Sequence, residues 1–234
     1  MSDKNRILIT CEHGGNRIPS AYKDLFRGHE ALLKTHRGYD PGALTMAREM
    51  ARAMDAPLHV STISRLLIDL NRSIGHPRLY SEATRSADTQ VRRKILEQYY
   101  LPYRESVESD IRESVSLGYR VIHISSHSFT PELDGDVRNG DIGLLYDPAR
   151  AGEEKLCARW QVFLRKALPH LTVRRNYPYT GKSDGFTAYL RRCFSEDVYW
   201  GIELEINQRI VFHGGSSWRF MRTSVIDALQ KAIN

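Results

Sequence analysis

Five stretches of this chain set polar side chains where an apolar pattern breaks off, and each carries groups able to bind metal, move protons or hold an anion. The first is Cys11-Glu12-His13-Gly14-Gly15-Asn16, directly after the apolar run Ile7–Cys11. A histidine at a strand exit suits metal ligation, and two glycines let backbone and ligand approach closely. Taken alone, a loop histidine beside a flexible turn is the simpler account. The second is Tyr39-Asp40-Pro41-Gly42. Here Asp40 reads as a helix N-cap with Pro41 at the first helical position, a place from which its carboxylate can also face a cation.

The third stretch is His123-Ile124-Ser125-Ser126-His127-Ser128-Phe129. Its histidines share a strand face but stand ~13 Å apart at ~3.3 Å per residue, too far to share one ion. His127, at the strand exit, is the ligand candidate; His123, within the apolar run, reads as a satisfied core histidine. In the fourth, Gly201–Asn207, alternation puts Ile202, Leu204 and Ile206 on one face and Glu203, Glu205 and Asn207 on the other. Carboxylates in so hydrophobic a strand are costly to bury unless paired or metal-bound, the bland alternative being a half-exposed edge strand. The fifth, Ser64–Arg72, brings Arg65, Asp69, Asn71 and Arg72 together. Arginine suits bidentate recognition of a carboxylate, whether a substrate's or a neighbouring Asp's.

One reading uses every stretch. His13, Asp40 and His127 form a catalytic zinc site with one position open for water. Glu205 acts as general base, and Arg65, Asn71, Arg72 and Asn207 bind a small anionic substrate. Several familiar signatures are missing: GxGxxG, the P-loop, GxSxG, HExxH and RNP-type aromatics. That removes the usual nucleotide, serine-hydrolase, zincin and RNA readings.

These groups need a scaffold that gathers strand ends at one edge. Strand signals occur at Ile7–Cys11, Leu58–Ile63, Leu66–Leu70, Val121–Ser126, Ile142–Tyr146 and Val198–Ile206. Helical signals fall at 42–54, at 88–117 with Leu101-Pro102 as a break or kink, at 151–167, at Thr187–Cys193 and at about 216–232. Strands interleaved with helices predict an α/β three-layer sandwich: a mixed, mostly parallel central sheet covered by helices on both faces. No repeat or linker marks a boundary, so residues 1–234 are expected to form a single domain.

Composition narrows the function further. Lys and Arg total 34 against 28 Asp and Glu, a formal charge of +6, which favours anionic partners. The charges are interspersed rather than striped, which argues against nucleic acid. Three scattered cysteines (Cys11, Cys157, Cys193) without CxxC spacing suggest a reducing cytoplasm. The chain has no signal-peptide pattern and no apolar stretch approaching the ~18 residues a membrane span requires.

In order along the chain, the same segments resemble the N-formylglutamate amidohydrolases. The matching segments are HGG-x-x-I-P at His13–Pro19, Y-D-P-G around Asp40, S-R-L-L-I-D-L-N-R at Ser64–Arg72, S-H-S-F at Ser126–Phe129 and L-E-I-N-Q at Leu204–Gln208. The family is similar to zinc carboxypeptidases and zinc muramoyl amidases in fold. The resemblance implies one zinc ion on His13, Asp40 and His127, with Glu205 in the catalytic-base position. It also implies an N-acyl acidic amino acid such as N-formyl-L-glutamate as substrate, with formate and glutamate as products. Two positions depart from the pattern: Glu12 stands where the histidine-degrading members have Pro, and Glu203 where they carry an uncharged residue. A peptidoglycan or peptide amidase, or a basic binding protein with a vestigial pocket, are the rival readings.

Overall fold

A computed structural model describes residues 4–234. In chain order its elements are β1 (Asn5–Cys11), α1 (Ala43–Met54), β2 (Leu58–Val60), α2 (Thr89–Ile95), α3 (Leu101–Ser116), β3 (Arg120–Phe129), β4 (Glu132–Leu133), β5 (Asp136–Val137), β6 (Ile142–Leu145), α4 (Ala151–Ala167), β7 (Val173–Arg175), α5 (Phe186–Cys193), β8 (Tyr199–Asn207), α6 (Gln208–His213) and α7 (Gly215–Ile233). Six strands form one sheet in the order β2-β1-β3-β8-β6-β7. The first four run parallel; β6 lies antiparallel to β8 and carries β7 parallel to itself. The sheet is therefore mixed and mostly parallel, as the sequence pattern predicts.

The period-2 alternation of the strands decides which face each residue serves. Ile9, Ile122, Ile124, Ile202, Leu204 and Ile206 pack with α1, α4 and α7 through Met46, Met50, Trp160, Leu164, Val225 and Leu229. The opposite face sets Leu8, Val121 and Tyr199 against Val107 and Ile111 of α3 and Phe186 and Leu190 of α5. Helices thus cover both faces, and the second face is the one that carries His123, Ser125, His127, Glu203 and Glu205. Among the described residues no helix is long and apolar enough to cross a membrane.

Four expectations need correction. Leu66–Leu70 is not a strand: Leu66, Leu67, Ile68 and Leu70 are buried in a separate apolar cluster with Tyr22, Phe26, Ile95 and Tyr100. Its backbone bonds are turn-like, Leu67 N to Ser64 O and Arg72 N to Asp69 O, because a short apolar run marks burial and not conformation. The helical stretch over 88–117 forms, but the irregularity expected at Leu101-Pro102 falls earlier, as a π-helical turn at Leu96–Tyr100 just ahead of Pro102, which has no N–H for the regular ladder. β3 extends to Phe129, so His127 lies within the strand and not beyond it. Finally, Asp40 does not cap α1. Gly42 occupies the N-cap position and no side chain bonds there, which frees the Asp40 carboxylate for other partners. The short strands β4, β5 and β7 and helix α6 carry too few patterned residues to be anticipated.

Gly42 holds φ +82°, and a Cβ there would meet Val211 Cγ2 at 2.7 Å and Cγ1 at 2.8 Å. Both facts demand glycine at the turn that delivers Asp40. Gly42→Ala should cost ~1–3 kcal/mol in chemical denaturation. A variant as stable as the parent would show that α6 does not pack against this turn as described.

Candidate metal centre and cleft

The sheet geometry brings His13, Asp40 and His127 to one point. His13 sits two residues beyond β1, in a turn stapled to the segment after β2 by Gly14 N to Ser61 O and Arg17 N to Thr62 O, both 3.0 Å. A Cβ on Gly15 would meet the Thr62 carbonyl oxygen at 2.7 Å, so the Gly15 position is closed to larger residues by contact alone. The carbonyl of His13 accepts from the backbone N–H of Asp40 at 2.9 Å, which locks the two ligand candidates together through the main chain. His127 arrives on β3. One ligand atom from each of the three residues lies within 4.8 Å of the others, and all three residues are buried.

Which nitrogens face inward is decided by the outer partners. His13 Nε2 is 2.7 Å from Asp69 Oδ1, leaving Nδ1 toward Asp40 Oδ2 at 3.4 Å. His127 Nε2 is held by Ser125 Oγ at 2.8 Å and lies 3.2 Å from Glu12 Oε2, while its Nδ1 is 2.8 Å from the same Asp40 oxygen. Two Nδ1 atoms and one carboxylate oxygen therefore converge, each imidazole backed by a carboxylate on its far side. That is the usual outer shell of a metal-bound histidine. This group can hold a metal ion.

The electrostatics point the same way. Asp40, Asp69, Glu12 and Glu205 are all buried, and Arg65 is the guanidinium partner of Asp40 and Asp69. Burial pushes the Asp40 carboxyl up, but the charge of His13 and the hydrogen bonds from both histidines hold it well below the usual carboxylate range. Asp69 is likewise held down against burial by Arg65 and His13. His127 runs opposite: burial lowers it, yet Asp40 and Glu12 keep it well above the ordinary imidazole value. So much ionised carboxylate in one pocket is what a cation would balance.

Glu205 is the exception. It lies beside His127 in the β3–β8 register, is 6% exposed, and its Oε2 has no hydrogen-bond partner. Burial, reinforced by the charges of Asp40 and Glu203, pushes its carboxyl up to about 8 against the pull of His127 and Arg65. A buried carboxyl poised near neutrality with a free oxygen suits proton transfer. Glu203, one alternation earlier, also lines the cleft and accepts from Thr187 Oγ1 at 2.6 Å.

These groups open into a cleft of about 890 Å³ lined by His13, Asp40, Asp69, His127, Glu203 and Glu205 on one side and by Arg72, His76, Arg78, Tyr80 and Arg85 on the other. The sequence-predicted substrate residues divide here. Arg72 lines the cleft, donates from Nη1 to Asp184 O at 2.5 Å, and has a buried Nε without a partner. Asn71 also lines it, its Oδ1 accepting from Phe186 N at 2.6 Å. Arg65 is engaged otherwise: Nε and Nη2 donate to Asp69 Oδ2 at 3.2 and 2.8 Å, and Nη1 reaches Asp40 Oδ1 at 3.4 Å. Its guanidinium braces the site's acids while also lining the cleft. Asn207 lies off the cleft altogether. Its amide donates to Gly140 O at 2.9 Å and its Oδ1 caps α6 through Arg209 N at 3.0 Å, so the helix following β8 consumes it. His123 is satisfied within the core by Thr10 Oγ1 and Tyr199 OH, each at 2.8 Å, as its place in the apolar run suggests.

Sequence reasoning missed several supporting residues. Asp69 reads there as an arginine partner, yet it also holds His13. Ser125 shares a face with His127 by simple alternation, a signal that was present and unused. Arg104 gives no local signal. It is buried, donates to Leu70 O and Arg72 O at 3.2 Å, and lies 4.3 Å from the Phe186 ring and 4.4 Å from that of Tyr189, clamping the 64–72 segment from α3.

Comparison with known proteins follows this geometry. No curated protein sequence matches the chain. A solved gene product from Agrobacterium tumefaciens is similar at 29% identity and TM-score 0.83, covering 99% of this chain and 92% of that one. The N-formylglutamate amidohydrolase from Ralstonia eutropha JMP134 shares the fold at TM-score 0.72 and 16% identity, covering 99% of this chain and 94% of that one. The family model described as N-formylglutamate amidohydrolase matches residues 5–212, a span that takes in the triad and the whole cleft. The chain therefore belongs to the N-formylglutamate amidohydrolase family, hydrolases that act on an amide bond.

Proposed function

We propose that residues 1–234 act as one zinc-dependent amidohydrolase domain that cleaves the amide of a small N-acyl acidic amino acid, N-formyl-L-glutamate being the type substrate and formate and glutamate its products. The observation that carries this reading is Glu205: a buried carboxyl with an unpartnered oxygen, beside three inward-facing ligand atoms in an open cleft. His13, Asp40 and His127 are the zinc ligands. Nitrogen and oxygen donors suit zinc, and three protein ligands are the usual number in a catalytic site. Bound zinc supplies Lewis acidity and brings the pKa of water down toward ~7.

The chain's own residues supply the rest. Glu205 takes a proton from the attacking water and returns it to the leaving nitrogen, the two-way role that a carboxyl titrating near neutrality performs best. Arg72, with Asn71 beside it, holds a substrate carboxylate; its spare guanidinium nitrogens and buried unpartnered Nε favour it over Arg65. Arg65 keeps Asp69 and Asp40 ionised and oriented. Zinc analysis of purified protein, together with a panel of N-formyl, N-acetyl and N-succinyl amino acids, tests the whole reading. Absence of zinc binding and of hydrolysis across the panel would overturn it.

Three variants test the parts. Glu205→Gln should keep fold and metal yet lower kcat by ~10²–10⁴, while Glu203→Gln changes it far less. If Glu203→Gln is the dead variant, the base is misassigned. Arg72→Lys should raise KM for acidic substrates by roughly 10-fold or more while sparing uncharged amides, because Lys lacks the bidentate fork. Equal losses on both would make Arg72 structural.

Glu205 also predicts a pH dependence in metal-free protein. Its folded pKa of about 8 lies above the ordinary 4.5, so between these values the folded state holds the extra proton. Stability from this group is therefore complete at acid pH and lost as pH rises through that window. Glu205→Gln should melt like the parent near pH 4.5 and increasingly above it toward pH 8. Parallel melting curves across the range would refute the perturbed carboxyl.

A further inference from the structure

We infer that Glu12 is the positioning residue of His127, acting through the Ser125 hydroxyl to fix the imidazole so that Nδ1 is the atom offered to metal. This rests on the zinc reading of the triad and assigns a role to a residue that departs from the family pattern. Glu12 is fully buried, directly before His13 on the exit of β1. Three groups converge on its carboxylate: Ser125 Oγ at 2.6 Å, Tyr103 OH at 3.0 Å and His127 Nε2 at 3.2 Å. None of the three is a cation of fixed charge, unlike Arg65 on Asp69.

The directions of these bonds follow from counting protons. A carboxylate among donors accepts, so the single hydroxyl proton of Ser125 goes to Glu12 Oε2. Only lone pairs then remain on Ser125 Oγ for His127 Nε2, 2.8 Å away, and Nε2 must carry its own hydrogen. Nδ1, which faces Asp40 Oδ2, is then the nitrogen whose proton a metal would displace. Tyr103, from α3, pins the other Glu12 oxygen, so the chain of bonds is anchored outside the strand it serves. On the opposite side Asp69 performs the equivalent task for His13 directly, at 2.7 Å. The Asp69 carboxylate also accepts from Arg65, whereas the Glu12 carboxylate accepts from the Ser125 and Tyr103 hydroxyls. Each ring is thus oriented by a carboxylate, His13 directly and His127 through a hydroxyl.

The test measures zinc affinity by chelator competition and ring-nitrogen protonation by long-range ¹H–¹⁵N NMR on the zinc-loaded protein. Glu12→Gln should weaken zinc binding by roughly 10–100-fold, the usual effect of losing an outer partner, and should shift the His127 nitrogen signals while leaving those of His13 in place. Ser125→Ala should weaken binding less, because Glu12 Oε2 is near enough to close on Nε2, and its effect should vanish in the Glu12→Gln background. Glu12→Asp, which keeps the charge but withdraws it by one methylene, carries the test if Glu12→Gln does not fold. A folded Glu12 variant with affinity within about twofold of the parent and unchanged His127 nitrogens would overturn the proposal. A parent protein that binds no zinc would overturn the metal reading itself and this role with it. A Glu12 that merely packs would lower the melting temperature without moving the ring nitrogens.

Discussion

Everything around the cleft depends on keeping buried carboxylates ionised next to one another. Removing a carboxylate from water costs several kcal/mol even after relaxation, and Asp40, Asp69 and Glu12 meet that cost together at one end of the sheet. They do so through two imidazoles and one guanidinium that each touch more than one acid: His13 bridges Asp40 and Asp69, His127 bridges Asp40 and Glu12, and Arg65 spans Asp69 and Asp40. No pair is isolated. Asp40 is the common member, and the glycine turn at Gly42 exists to release it from capping duty into that role.

The mixed sheet explains why Glu205 is treated differently from the other acids. β3 supplies His127 on one side of it in parallel register, and β6 sets Gly143 on the other in antiparallel register. Neither neighbour donates a hydrogen bond to its Oε2. A carboxyl flanked by a glycine and a histidine already committed to Asp40 stays desolvated and unpaired, so its proton affinity rises. Strand order, and not any local motif, leaves this carboxyl unpaired.

Much of this architecture was legible in the chain. Helical spacing at Met46 and Met50, alternation at Ile202–Ile206 and the uninterrupted 151–167 pattern each report one buried face, and burial faces are what periodicity encodes. The triad was legible for a related reason, since each member is a polar residue at the end of a readable element. Failures cluster where tertiary context overrides local pattern. The run Leu66–Leu70 is apolar because it faces Tyr22, Phe26 and Tyr100, partners far away in sequence. Arg65 and Arg72 are alike in sequence, seven residues apart in one motif, and nothing local says that one braces Asp69 and Asp40 while the other donates to Asp184 O. Asn207 was misjudged because alternation fixes a face but cannot tell where the strand leaves the cleft for α6.

The 64–72 segment carries a consequence for how this scaffold can diversify. Its Arg65 and Asp69 brace Asp40 and His13; its last residue, Arg72, lines the cleft; and Arg104 and Tyr100 tether its carbonyls to the α2–α3 arm. Nine residues thus tie the acids beside the triad and one wall of the cleft into a single strap, and a change that reshapes the wall there also disturbs those acids. The wall at His76, Arg78, Tyr80 and Arg85 joins the strap through its neighbours, Asp69 N to Leu79 O at 2.9 Å and Ser81 Oγ to Leu66 O at 2.5 Å, but among the described residues those four side chains make no hydrogen bond to His13, Asp40 or His127. New substrate preferences are therefore free to accumulate on that wall, where drift in sequence leaves the charge balance of the centre intact.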